Sequence, residues 1–130
     1  MACAYECVKH MLSHDLVGNA HRLEPVMAEY TDALVARHPT VRQGRVLGLF
    51  GCLDLIGPDG RYVQPLGGPP HPAVAHFKRA LSDEGVFGLV RVPLLHTAPP
   101  LIITEEQLRD GFDRVDRALS VLDDGVFGSA

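Results

Sequence analysis

No stretch of this 130-residue chain approaches the roughly 20 consecutive apolar residues that a membrane-spanning helix needs, so no such helix is expected. The opening residues do not read as a signal peptide. Positive charge is short: 12 Lys and Arg face 16 Asp and Glu, a formal charge of −4, which leaves no basic stripe for nucleic acid. Lysine occurs only at Lys9 and Lys78. Cysteine is confined to Cys3, Cys7 and Cys52, an odd count without disulfide spacing, and a reducing cytoplasm is the simple expectation. Internal repeats and low-complexity segments are absent from the sequence. What remains is 46% apolar and 22% charged, the balance of an ordinary folded protein. A chain of this length suits one domain, which buries roughly two-thirds of its unfolded surface.

Apolar spacing sets the expected elements. Residues 1–12 contain neither Gly nor Pro and predict an opening helix, by which the chain enters the domain. Ser13 can break or cap it before a second helix that runs to about Arg37. There Leu16, Ala20, Leu23, Met27, Tyr30 and Leu34 form one seam, and Pro25 predicts a kink or a fresh start. His38-Pro39 ends that helix. Arg45 to Ile56 predicts a single strand, with Gly48 and Gly51 allowing another group to approach closely. A turn at Gly57-Pro58-Asp59-Gly60 returns Arg61-Tyr62-Val63 as a short antiparallel partner. Residues 64–72, rich in proline, read as a surface loop. Ala73 to Ser82 predicts a helix with Val74, Phe77 and Leu81 inward and Gly85 as its left-handed stop. Val86 to Val92 and Leu94 to Thr97 predict strands. Residues 123–130 carry no pattern and are expected to fray. Clustered antiparallel strands with helices between them make an α+β fold, a small sheet of about three to four strands with helices packed on one face.

Several residue groups invite a chemical reading. Cys3, Cys7, His10 and His14 recur at four, three and four and share one helix face. Zinc takes such ligands, but 11 residues of helix extend about 16 Å while zinc bonds reach only about 2.3 Å, so one ion cannot gather all four. No metal ligands are therefore assigned. Gly48-x-x-Gly51 and Gly67-Gly68 do not open helices after strands and are not phosphate loops. Ser13-His14-Asp15 is contiguous, whereas a catalytic triad is assembled from distant residues. His71 and His96 sit at loop or strand ends, where a lone histidine is usually structural.

The segment His96 to Gln107, HTAPPLIITEEQ, says most. Pro99-Pro100 stiffens a corner, Thr104 and Gln107 form a capping box, and Leu108, Phe112, Val115, Leu119 and Leu122 make one buried helical stripe. This string resembles the C-terminal end of class III aminotransferases, pyridoxal-phosphate enzymes of fold type I. His38-Pro39-x-Val41, Arg45, Gly48-Leu49-Phe50 and Leu53-Asp54-Leu55 resemble that family's HP-x-V, R-x-x-GLF and (I/L)-E-L segments. Ala2-Cys3-Ala4 and Asp15-Leu16-Val17 resemble its entry into the small domain. The ordered series covers nearly the whole chain, with two departures: Val46 stands where a Gly usually follows the Arg, and Asp54 replaces Glu.

The resemblance implies that residues 1–130 form the C-terminal small domain, with the catalytic large domain absent. It implies that the whole enzyme uses pyridoxal 5′-phosphate to move an amino group from an amine or ω-amino acid to a 2-oxo acid, as a homodimer. Neither Lys9 nor Lys78 resembles the Schiff-base context, so this chain alone is expected to bind no cofactor and to be inactive. No catalytic or cofactor-binding residue is assigned. Arg91, seven residues before Ala98, resembles the arginine that grips a substrate carboxylate, although the usual longer intervening segment with Gly-Asp is missing. Arg45 is implied to be structural, near the domain interface. The expected partner is the large cofactor-binding domain; nucleic acid and membrane are not expected. An isolated chain is expected to self-associate through an apolar patch around Cys3, Val8 and Leu12. The alternative readings are a free-standing, non-enzymatic binding or assembly module that keeps the fold, and a small metal-binding protein.

Overall fold

A computed structural model describes residues 2–64, 67–91, 93–125 and 127. The element order is α1 (Ala2–Ser13), α2 (Leu16–Arg37), β1 (Val41–Leu47), β2 (Phe50–Leu55), α3 (Ala73–Asp83), β3 (Leu89–Arg91), β4 (Leu94–Thr97) and α4 (Glu105–Asp123). The four strands form one antiparallel sheet in the order β1-β2-β4-β3. It is an α+β fold, as the patterning implied.

The long helices follow their apolar seams. In α2 the buried residues are Leu16, Leu23, Met27, Thr31 and Leu34. The helix runs unbroken through Pro25 rather than restarting there, because the seam on either side is anchored in the core and outweighs the lost bond to His21. In α4 the predicted stripe is buried in full, together with Ala118. Its capping box is present: Gln107 N–H donates to Thr104 Oγ1 at 3.2 Å and Thr104 N–H to Gln107 Oε1 at 3.1 Å. The inward residues of α3 are Ala73, Val74, Phe77 and Leu81, and Gly85 follows with a φ of 74°.

The expected single strand over Arg45 to Ile56 is instead a hairpin of β1 and β2. Leu47 pairs with Phe50, so Gly48-Leu49 is a two-residue turn. Gly48 has a φ of 58°, which matches a turn that takes glycine first. Gly51, by contrast, is a site of close approach: a Cβ there would lie 2.7 Å from Thr97 Oγ1 and 2.9 Å from Met27 Cε. The expected partner strand at Arg61-Tyr62-Val63 shrinks to one bridge between Ile56 and Tyr62. β3 begins at Leu89, not Val86, and Val92 lies outside the described residues, as do residues 65 and 66 of the proline-rich loop. α4 extends through Asp123, and Phe127 packs against the core with its ring 4.9 Å from that of His71; residues 126 and 128–130 lie outside the described residues.

Burial alternation and register place α2, α3 and α4 on one sheet face. Gly44, Leu53, Leu95 and Val90 form a cross-strand row on that face, and the space beside Gly44 is filled by Thr31 of α2. Polar links join distant elements. Asn19 Nδ2 donates to the carbonyls of Leu101 and Ile103 at 2.8 and 3.0 Å, pinning the corner after Pro100 to α2. His38, buried, places its ring nitrogens 2.5 Å from Asp123 and 2.8 Å from Asp116, and Thr40 donates to Asp123 at 2.6 Å. That cluster fastens the end of α2 to the end of α4. Among the described residues no helix is long and apolar enough to cross a membrane.

Candidate functional site

The face of the sheet turned away from the helices carries the candidate groups. Period-two alternation and register put two rows on it. One is Gln43–Asp54–Leu94–Arg91, the other Arg45–Cys52–His96–Leu89. Sequence reasoning had named Arg91, Arg45 and His96 separately; pairing brings them onto one surface.

Asp54 is the electrostatic centre of this face. It is only 3% exposed although no helix covers it, because Arg45, Gln43 and Tyr62 close around it. Gln43 Nε2 donates to it at 2.7 Å, and Arg45 donates through Nη2. The same guanidinium donates through Nε to Cys52 Sγ at 3.3 Å. Bonds to Cys52, then to Asp54, raise the Arg45 pKa further above its ordinary value, so its charge is permanent. Arg42 lies over the Tyr62 ring at 5.6 Å and adds a second cation at this end. The partner of Arg45 was legible only as a departure from a motif, since Asp54 lies across the hairpin on β2.

The other end of the face is apolar. Leu47 is 78% exposed, Phe50 55% and Leu89 65%. The ring of Phe50 stacks near that of His96, at 5.9 Å between centroids. His96 Nδ1 is buried without a hydrogen-bond partner among the described residues. Arg91 ends the short edge strand β3, exposed, opposite Leu94, and has no ion pair among the described residues. An exposed arginine at a strand end can hold a carboxylate by donating two parallel bonds to it.

A cavity of about 230 Å³ lies beside this edge, lined by Phe87, Gly88, His96, the Ala98-Pro99-Pro100 corner and the near face of α4. A second, of about 310 Å³, is lined by Lys78, Leu81, Ser82 and residues 86–90. Lys78 lines this cavity, whose lining holds no carboxylate for a pyridinium nitrogen, and Lys9 is ion-paired with Glu6 at 3.7 Å on exposed α1. His71 lines a third cavity with Arg61, Tyr62 and Phe127 and accepts from Ala73 N–H at 3.2 Å, a helix-start contact. Among the described residues no three His, Cys, Asp or Glu side chains converge on one point.

No protein-family model matches the chain. Solved structures do. A taurine:2-oxoglutarate aminotransferase from Bifidobacterium kashiwanohense, in complex with PLP and glutamate, is 26% identical, with a TM-score of 0.84 over 92% of this chain and 27% of its own. An omega-transferase from Vibrio fluvialis JS17 is 20% identical, with a TM-score of 0.80 over 96% of this chain and 29% of its own. An ornithine delta-aminotransferase from Plasmodium falciparum is 22% identical, with a TM-score of 0.73 over 94% and 28%. This chain thus spans little more than a quarter of the proteins it resembles, and the two lower identities speak to fold alone. Over nearly its whole length, the chain carries the fold of one part of the class III pyridoxal-phosphate-dependent transaminases, consistent with their C-terminal small domain.

Proposed function

We propose that this chain is the C-terminal small domain of a class III aminotransferase that moves an amino group from an amine or ω-amino acid to a 2-oxo acid. The match to a transaminase holding PLP and glutamate carries this reading. On it, residues 1–130 act with a larger cofactor-binding domain of the same enzyme, within a cytoplasmic homodimer, a location favoured by three free cysteines. Pyridoxal phosphate belongs to that larger part. The present chain, lacking a fitting lysine, is inactive by itself.

The open sheet face is the surface the larger domain covers, together with the apolar stripe of α1. A sheet face meant for water would be polar, whereas this one presents Leu47, Phe50 and Leu89 around a permanently charged Arg45. The same exposure counts against a free-standing module. Arg91 grips the substrate carboxylate at the rim of that face, and the neighbouring Pro99-Pro100 corner helps exclude water.

The test is to isolate the native polypeptide with an antibody against α4 and assay amino transfer to pyruvate and 2-oxoglutarate. A polypeptide several times longer, with bound PLP and transaminase activity, is expected. A native product of this length that retains no large-domain partner and transfers no amino group would overturn the reading.

A further inference from the structure

The Cys3, Cys7, His10 and His14 line takes no part in the proposed function. α1 has no buried residue, and all four side chains are exposed. They lie on a different side of the helix from the apolar stripe of Tyr5, Val8 and Leu12, the centres of the two lines being nearly half a turn apart at 3.6 residues per turn. Covering that stripe leaves the line free.

Each end of the line is half of a metal site. Residues four apart on a helix rise about 6 Å and project side by side, so Cys3 with Cys7 can hold one ion through two ligands, as can His10 with His14, the residue directly after α1, whose N–H donates to the His10 carbonyl at 3.1 Å. The two imidazoles already lie together, with ring centroids 4.0 Å apart. His14 is also oriented as metal-bound histidines are. Its Nδ1 lies 3.0 Å from the His10 carbonyl; in the tautomer that donates there, Nε2 is the nitrogen left to bind a metal. Ser13 Oγ braces the arrangement, 3.0 Å from the same Nδ1 and 3.2 Å from the same carbonyl.

No third ligand converges on either pair within the described residues. Tetrahedral zinc wants four, and the spacing indicates their source. Four, three, four reads the same in both directions, while the residue types reverse from Cys-Cys to His-His. Two copies of α1 laid antiparallel therefore set Cys3 and Cys7 of each against His14 and His10 of the other. A two-fold axis then generates two identical Cys₂His₂ sites, a ligand set suited to zinc. We propose that α1 is a zinc-dependent pairing element through which two copies of this chain associate, with one ion per chain.

The experiment is multi-angle light scattering of the reduced chain, with zinc and with a chelator, alongside metal analysis after gel filtration. Zinc should double the mass measured in chelator and remain bound at one ion per chain, and cobalt in its place should show thiolate charge-transfer and tetrahedral d–d absorption. C3S/C7S and H10A/H14A should each lose both the doubling and the retained ion, with an unchanged circular dichroism spectrum. Mixing the two variants should restore a pair holding one ion, because one chain keeps the histidines and the other the cysteines. Zinc retained by an unpaired chain, a mass that does not respond to zinc, or no restoration on mixing would each overturn the proposal.

Discussion

Asp54 shows how single residues set the chemistry of the open face. Its carboxylate is buried, and Arg45 is the charged partner that makes burial tolerable. Arg45→Met is expected to cost about 1–3 kcal/mol in urea unfolding, with the half-exposed arginine placing it below a fully buried pair. Combining it with Asp54→Asn should cost less than the sum of the two changes. A raised folded-state pKa contributes stability that is present below the unfolded pKa and lost only as pH rises through the folded one. For Arg45 both lie far above neutrality, so its contribution is flat through the neutral range. Gly51→Ala should cost about 1–3 kcal/mol, because its new methyl meets Thr97 and Met27 below contact distance. On the proposed aminotransferase reading, Arg91→Ala in the longer polypeptide should weaken apparent binding of a carboxylate substrate by roughly tenfold or more, and much less for an amine without a carboxylate. Initial-rate kinetics with both substrate types would expose an arginine that merely ends a strand.

At the scale of elements, what the sequence revealed divides by range. α2, α3 and α4 were legible because their burial repeats at helical spacing, and the start of α4 because Thr104 and Gln107 lie within a turn of each other. Thr104→Ala should accordingly lower stability by about 1 kcal/mol, read as a shift in the urea midpoint. The β1–β2 hairpin was missed because Gly48-Leu49 sits inside a continuous apolar run and lacks the polar residues that usually mark a turn. The break between α1 and α2 was placed correctly, yet its cause was not visible: Asp15 adopts a φ of 48°, the one non-glycine residue with positive φ among those described. Asp15→Gly should relieve strain and stabilise the chain by several tenths of a kcal/mol, opposed by loss of its exposed contact with Arg22. The links from Asn19 to Leu101 and Ile103, and from His38 to Asp116 and Asp123, span about 80 positions, beyond any local pattern.

For the molecule as a whole, one covered and one uncovered sheet face dominate behaviour. Of the apolar patch expected around Cys3, Val8 and Leu12, Val8 and Leu12 are exposed on one side of α1 with Tyr5 while Cys3 lies on another, and the sheet adds Leu47, Phe50 and Leu89. The candidate site was therefore readable as residue types but not as a surface, since Arg91, His96, Cys52 and Arg45 meet only through register across four strands. Without a covering partner the chain should self-associate in chelator, and L47K/F50K should reduce the scattering mass toward the monomer without unfolding it. The strand order also bears on how the molecule comes into being. β2 pairs at once with its neighbour β1, but its second edge waits for β4, about 40 residues further along the chain. Until those residues arrive, the FGCLDL strand offers a bare, apolar ladder to any similar strand nearby. Refolding yield should thus fall with protein concentration, and the vulnerable moment is the wait for β4, a hazard of timing rather than of final stability.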